Sequence, residues 1–349
     1  MIKTGLAAFG MSGQVFHAPF ISTNPHFELT AVVERNKNLA QEKYPNTRIV
    51  RSFQELLAIE DIELILVNTP DSLHYEYTKQ ALEAGKHVIV EKPFTSTVAQ
   101  GKELINLAKQ RKCMLSVYQN RRWDADFRTV QQIIKEDSLG QLVEFESTFP
   151  RYRNHIVPNT WKETGEWGGG LLYNLGAHLI DQAILLFGMP KAIYADIDCL
   201  RTGGQVDDYF ILHFIEPTKN PKLKLSLKSS YLMCASEPRF VLHGTEGSFT
   251  KYSLDPQEEQ LKAGIFPTTP NWGKETEENW GILRLAKEDA PLSTKIPSIP
   301  GDYRLFYQNI YEHLRQGKNL QTNAESILPV IHIIETAYKN NRKVTEIHL

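Results

Sequence analysis

A chain of 349 residues is longer than one ordinary core supports, so two domains are expected, 1–122 and 123–349. With 41% hydrophobic and 23% charged residues and a net charge of −2, the composition excludes a disordered chain, a basic nucleic-acid footprint and an acidic tail, leaving a small molecule as the expected partner. No run approaches the roughly 20 apolar residues that span a bilayer, and the N-terminus opens on a strand pattern, so a soluble, cytoplasmic protein with no membrane partner is expected.

From residue 2 to about residue 118, short β-branched runs alternate with helical stretches. The strands read as Ile2 to Phe9, Phe27 to Val33, Arg48 to Val50, Leu64 to Asn68, His87 to Val90 and Met114 to Tyr118. Ser52 and Glu55 form a capping box for one intervening helix, and Gly85 stops another that spans Ser72 to Ala84. This alternation predicts an α/β domain with a doubly wound parallel sheet.

The first strand runs into Ala8-Phe9-Gly10-Met11-Ser12-Gly13, a dinucleotide fingerprint with alanine in place of its first glycine. Gly10 lets the backbone approach a pyrophosphate, Gly13 lets helix and strand pack closely, and the helix N-terminus receives the anion. Glu34 lies 21 positions beyond Gly13 at the end of the second strand, where a carboxylate accepts hydrogen bonds from the ribose hydroxyls of NAD. Arg35 beside it suits the 2′-phosphate of NADP, so NAD is favoured only slightly; an exposed Glu-Arg pair is the competing reading.

Glu91-Lys92-Pro93 follows the apolar run His87 to Val90 and puts an ammonium group where a parallel strand ends, the side on which open α/β sheets bind ligands. Lys92 is therefore a candidate for chemistry, against the alternative of a surface lysine. Pro93 constrains the backbone on both sides of the Lys92-Pro93 bond.

After Trp123 an amphipathic helix, about Phe127 to Lys135, precedes Gly140 and then runs of alternating polarity. These lie near Leu142 to Phe149, Ala192 to Leu200, Tyr209 to Ile215, Leu223 to Lys228 and Arg239 to His243. One buried and one wet face predicts a second α/β domain with a large open antiparallel or mixed sheet. Residues 255–301 hold six prolines and, apart from a short helix at Gln257 to Lys262, are expected to leave the sheet as an irregular excursion. Two helices close the chain: Tyr303, Phe306, Tyr307, Ile310, Tyr311 and Leu314 share one face of the first, and Thr322 with Glu325 caps the second. A wide apolar face on the open sheet is expected to pair copies of the chain into a homodimer or homotetramer.

Gly168-Gly169-Gly170 introduces a helix, Leu171 to Asp181, that is apolar nearly all round and so is expected to be buried. Asn174, His178 and Asp181 interrupt it at spacings of four and three, which puts them on one stripe. Oxidising an alcohol by hydride transfer needs a base for the hydroxyl proton, and a neutral imidazole suits that near neutral pH. His178 is the candidate base, and Lys92 the group that orients the oxygen and stabilises its developing charge. A satisfied core histidine is the alternative. Cys113, Cys199 and Cys234 are too scattered for a disulfide framework or a cysteine-rich zinc site, and no metal is expected.

Through the Ala8 to Gly13 turn, Thr69-Pro70 with His74, Glu91-Lys92-Pro93 and Gly168 to Asp181, the chain resembles the glucose-fructose oxidoreductase and inositol dehydrogenase (Gfo/Idh/MocA) family over almost its whole length. The resemblance implies an N-terminal Rossmann domain, a C-terminal α/β domain, and NAD(P)-dependent oxidation of a sugar or polyol hydroxyl with Lys92, Asn174 and His178 at the catalytic centre. It implies a cofactor site formed by Ala8, Phe9, Gly10, Met11, Ser12, Gly13, Glu34, Arg35, Thr69, Pro70, His74, Glu91, Lys92 and Asn120.

Phe16-His17-Ala18-Pro19, Gln119 to Asp124 and Arg151-Tyr152-Arg153 are similar to the scyllo-inositol dehydrogenase subgroup. That likeness implies a substrate pocket lined by Arg122, Trp123, Tyr152, Trp161, Tyr173, Asn174 and His178, with domain-interface roles as the alternative for the arginines and aromatics. Where many members carry an aspartate one turn before the histidine, this chain has Asn174, which cannot supply charge to the imidazole. Asp181 substitutes, the pH optimum shifts, or turnover is poor. A catalytically silent, nucleotide-bound sensor and a redox-assisted elimination or glycoside cleavage with recycled cofactor are the competing functions.

Overall fold

The computed structural model describes residues 1–158, 160, 163, 169–287 and 292–348. In chain order the first elements are β1 (Ile2–Leu6), α1 (Ala18–Thr23), β2 (Phe27–Val33), α2 (Leu39–Lys43), β3 (Arg48–Val50), α3 (Phe53–Leu57), β4 (Leu64–Val67), α4 (His74–Glu83), β5 (His87–Val90), α5 (Val98–Arg111) and β6 (Leu115–Val117). There follow α6 (Ala125–Lys135), β7 (Leu142–Pro150), α7 (Ala177–Phe187), β8 (Pro190–Asp198), β9 (Tyr209–Pro217), β10 (Lys224–Ser230), β11 (Phe240–Gly244) and β12 (Gly247–Lys251). The last are α8 (Gln257–Lys262), β13 (Gly281–Leu285), β14 (Leu292–Ile296), α9 (Arg304–Gln316), α10 (Ala324–Lys339) and β15 (Val344–Glu346). They fall into two compact units, Met1–Asn120 with Gln257–Trp272 and Asp302–Leu328, and Arg121–Pro256 with Gly273–Gly301 and Pro329–Leu349. Neither unit is a single stretch of sequence, unlike the division expected from composition.

In the first unit six strands pair in the order β3-β2-β1-β4-β5-β6, all parallel. Every residue of β4 is apolar and buried, as a strand covered on both faces requires. The strand order reverses between β1 and β4, which makes their carboxyl ends the switch point where such sheets bind ligands. β1 ends at Leu6, short of the expected Phe9, because the backbone of Ala8 is claimed by a side chain: Asn68 accepts from its N–H at 3.0 Å and donates to its carbonyl at 2.8 Å. Ser52 caps α3 by accepting the Glu55 N–H at 3.1 Å, and Gly85, at a φ of 73°, terminates the chain path out of α4.

The late stretch Asp302–Leu328 completes this unit's core, since Tyr307 of α9 stacks on Phe20 at 5.7 Å and Phe306 meets Tyr118 edge-on at 4.8 Å. Thr322 does not cap α10. Its hydroxyl is buried against Ser116 Oγ at 2.8 Å, and Asn323 accepts the Ser326 N–H at 2.9 Å instead.

The second unit holds nine strands in the order β14-β13-β12-β11-β7-β10-β9-β8-β15. The sheet is mixed: β7 and β10 are parallel and the other neighbours antiparallel. Phe210, Leu212 and Phe214 of β9 point to the buried face, where α6 and α7 pack through Phe127 on Phe240 and Phe187 on Phe145. The opposite face is not the wide apolar surface expected. Ile211, Ile215, Val241 and Ile282 are interleaved there with Glu144, Glu146, Lys224 and Lys228.

The proline-rich stretch does not simply leave the sheet, because its second half supplies β13 and β14. Lys251, fully buried, pins this segment by donating to Glu275 and to the Asn279 carbonyl at 2.7 Å. Leu292–Ile296 is an edge strand exposed along most of its length, so it carries no buried alternation for a sequence reading to detect. β15 was likewise unforeseen, being three residues long. Among the described residues no helix is long and apolar enough to cross a membrane.

Candidate active site

At the switch point of the first unit, the fingerprint glycines differ in what surrounds them. A Cβ on Gly13 would lie 2.6 Å from the Ala8 carbonyl oxygen, so close packing of the helix onto the strand end depends on glycine. A Cβ on Gly10 would meet no protein atom within 4 Å. The chain past Gly13 enters a π turn, Gly13–His17, before α1. Met11 is exposed, and Phe9 is buried edge-on to Tyr44, so Phe9 supports the loop from beneath. Across the switch point, Thr69 Oγ1 is a buried hydroxyl without a hydrogen-bond partner, beside the exposed Pro70.

Glu34 directly follows β2, buried, with one carboxylate oxygen 3.3 Å from the Ala40 N–H. Arg35 is exposed. Arg51, which belongs to no motif in the sequence, holds the loop between them and α2: it donates to the carbonyls of Glu34 and Lys37, each at 2.8 Å, and to Asn38 Oδ1 at 2.7 Å.

Glu91-Lys92-Pro93 leaves β5 through a cis Lys92-Pro93 peptide. His74, an expected cofactor contact, is buried and braces two strand ends, with Nδ1 2.8 Å from the Pro93 carbonyl and Nε2 3.1 Å from the Thr69 carbonyl. Glu91 faces inward. It accepts from Ser12 Oγ at 2.5 Å and the Lys92 N–H at 3.1 Å and lies 3.0 Å from His17 Nε2, while His17 Nδ1 is 2.7 Å from the Tyr307 hydroxyl. Burial alone would raise the Glu91 carboxyl, but His17, the Ser12 hydroxyl and the Lys92 charge together hold it down at about 2. This carboxylate ties the fingerprint loop to the strand end that carries Lys92. Asn120, buried, ends the first stretch of that unit.

In the second unit a second π turn, Leu172–Gly176, runs into α7. Asn174 lies within this π turn, and His178 and Asp181 within α7. Asn174 is half-buried, whereas His178 and Asp181 are 4% and 2% exposed. Both oxygens of Asp181 are engaged by Arg122, Nε at 2.8 Å and Nη2 at 2.6 Å. Arg122 and Asp181 thus form a two-point ion pair.

Trp123 is buried, Tyr152 is exposed at a bridge to Leu232, and Tyr173 is buried, stacked on Tyr338 at 5.6 Å. Trp161 and Gly168 lie outside the described residues. A residue missed in the sequence, Asp207, sits at the start of this helix. Its carboxylate accepts the Leu172 N–H at 2.8 Å and the Tyr338 hydroxyl at 2.5 Å. Burial pushes it up to about 6, against these hydrogen bonds.

Among the described residues no cluster of histidine, cysteine and carboxylate side chains is arranged to hold a metal ion. Open space beside Gly10 on one side of the switch point and an orphan Thr69 hydroxyl on the other fit a dinucleotide.

Comparison with known proteins agrees. Residues 2–119 match the oxidoreductase family with an NAD-binding Rossmann fold, and residues 131–349 match that family's C-terminal alpha/beta domain. The scyllo-inositol 2-dehydrogenase (NADP(+)) IolW of Bacillus subtilis is 36% identical, over 100% of this chain and 96% of its own. A crystal structure of an oxidoreductase from Bacteroides fragilis superposes with a TM-score of 0.92 at 60% identity, covering 99% of this chain and 100% of that one. The oxidoreductase yvaA of Bacillus subtilis gives 0.95 at 35% identity, covering 99% and 98%. With its Rossmann domain for NAD(P) and its mixed-sheet α/β domain, the chain belongs to the Gfo/Idh/MocA family of oxidoreductases.

Proposed function

We propose that this protein is an NAD(P)-dependent dehydrogenase that moves a hydride between a hydroxyl-bearing carbon of a cyclic polyol or sugar and the nicotinamide. The cofactor, when bound, supplies the hydride acceptor. His178 takes the hydroxyl proton as the carbonyl forms, Lys92 stabilises the charge that develops on the oxygen, and Asn174 orients the reacting group. The observation that carries this reading is the switch point itself: open space over Gly10 and an unpartnered Thr69 hydroxyl, next to the turn from which Lys92 departs. The inositol dehydrogenase among the relatives supports a polyol as the substrate class.

NADP is the better reading of the adenosine end. Glu34 was the reason to favour NAD, yet it is buried against the Ala40 N–H, while Arg35 is exposed on a loop that Arg51 holds in shape. An exposed guanidinium suits a 2′-phosphate. The partly apolar outer face of the second sheet, with Ile211, Ile215, Val241 and Ile282, is the proposed contact between copies of the chain. Light scattering that finds a monomer at micromolar concentration would remove that part.

The test is absorbance at the reduced-nicotinamide band with NAD or NADP and a panel of inositols, hexoses and sugar acids. Reduction of NADP with a polyol is the expected result. Cofactor binding without reduction by any substrate would favour the sensor, and turnover of substrate without net reduced cofactor would favour the recycling enzyme.

A further inference from the structure

The helix that carries Asn174 and His178 begins at Gly170, and one residue from a distant part of the chain fixes that beginning. Asp207 lies between β8 and β9. Its backbone carbonyl accepts the Leu171 N–H at 2.9 Å and its carboxylate the Leu172 N–H at 2.8 Å, so it satisfies two of the donors that a helix start leaves open. The fit admits no side chain opposite, because a Cβ on Gly170, which sits at a φ of 97°, would be 1.9 Å from Asp207 Oδ1. The other side of the carboxylate receives the Tyr338 hydroxyl at 2.5 Å, and Tyr338 in turn stacks on Tyr173, inside the π turn.

Asp207 is itself held firmly. Its neighbour Asp208 is fully buried and accepts from the Leu200 N–H at 2.7 Å and from Arg201 Nε at 2.9 Å. Asn174 completes the turn by donating its N–H to the Gly170 carbonyl at 3.2 Å.

We propose that Asp207 is a positioning residue for the reaction: by clamping the helix start at Gly170 and Leu172, it sets the phase of the π turn and with it the direction in which Asn174 and His178 are presented. A π turn is a helix wound away from its regular pitch, and its phase needs a fixed origin. The proposal rests on the role given to His178 above.

Asp207→Ala, Asp207→Asn and Tyr338→Phe are compared for kcat, for the dissociation constant of NADPH, and for the ring signals of His178 in nuclear magnetic resonance of the full chain. Misplacing a catalytic group by a fraction of an ångström costs rate rather than cofactor affinity, so Asp207→Ala is expected to lower kcat at least about tenfold with NADPH binding unchanged and the His178 signals shifted. The amide of Asp207→Asn still accepts the Leu172 N–H, and it is expected to recover kcat to within about threefold and to restore the signals. Tyr338→Phe removes one hydrogen bond from a partly exposed side chain and is expected to fold and to lower kcat about two- to threefold.

Wild-type kcat and unshifted His178 signals in Asp207→Ala overturn the proposal, as they do in Tyr338→Phe where the alanine variant does not fold. Full turnover in His178→Ala overturns the reading beneath it, an outcome separate from whether the His178 signals move when Asp207 is replaced.

Discussion

Each unit contains a π turn at its candidate site, and each turn is braced by a carboxylate from elsewhere in the chain: Glu91 at Gly13–His17 and Asp207 at Leu172–Gly176. The two carboxylates do the same mechanical work in opposite electrostatic settings. Glu91 faces an imidazole, a hydroxyl and a neighbouring lysine, and is held at about 2. Asp207 meets backbone N–H groups and the Tyr338 phenol, and burial lifts it to about 6. Burial raises both; what differs is the set of groups that opposes it.

Stability against pH is the sharpest way to break that comparison. Glu91 has a depressed folded value, so its contribution is fully present above about 4.5 and is lost as the pH falls toward about 2, a loss on the order of 3 kcal/mol. Asp207 has a raised folded value, so the stability of its protonated form is present below about 4 and is lost as the pH rises through about 6. Urea unfolding of Glu91→Gln should show its largest deficit at neutral pH, shrinking toward acid. Asp207→Asn should gain on the wild type as the pH rises from about 4 to about 6 and keep that gain above it. Parallel curves for the two variants would show that the carboxylates do not differ as described.

The next largest effect separates the two units by function. His178→Ala is expected to lose at least about a hundredfold in turnover with cofactor binding intact. In the other unit, Gly10→Ala and Gly13→Ala divide stability from binding. Alanine at Gly13 collides with the Ala8 backbone and should cost about 1–3 kcal/mol of unfolding free energy. Alanine at Gly10 meets only space, so unfolding should be unchanged while the cofactor dissociation constant rises at least about tenfold, the methyl standing where a pyrophosphate approaches. Unaltered cofactor affinity in Gly10→Ala would remove the fingerprint from the site.

The two units also differ in how far the sequence exposed them. Parallel strands such as β4 and β5 are short unbroken apolar runs punctuated by caps and glycines, and three of the six strands match their expected limits residue for residue. Strand ends were less legible where a side chain intervenes, as Asn68 does at Ala8. Fingerprint, strand-end lysine and buried histidine helix could all be found by local pattern. Asp207, Arg51 and the inward turn of Glu91 could not, because each acts on a segment remote in sequence and none sits in a periodic motif. Arg122 and Asp181 were visible as residues, but their pairing across 59 positions was not.

The smallest expected effect tests the departure at Asn174. Both oxygens of Asp181 are engaged by Arg122, so that carboxylate already shares its charge with a cation. Asn174→Asp would supply a second carboxylate from the half-buried position at the π turn. An added anion favours the imidazolium, so the acid limb of the kcat/KM profile should move to higher pH. At neutral pH the gain in basicity is offset by a smaller fraction of neutral imidazole, and turnover should stay within about threefold of the wild type. A much larger loss with an unmoved acid limb would mean that the amide is itself needed, with its N–H donors holding the substrate where a carboxylate can only accept.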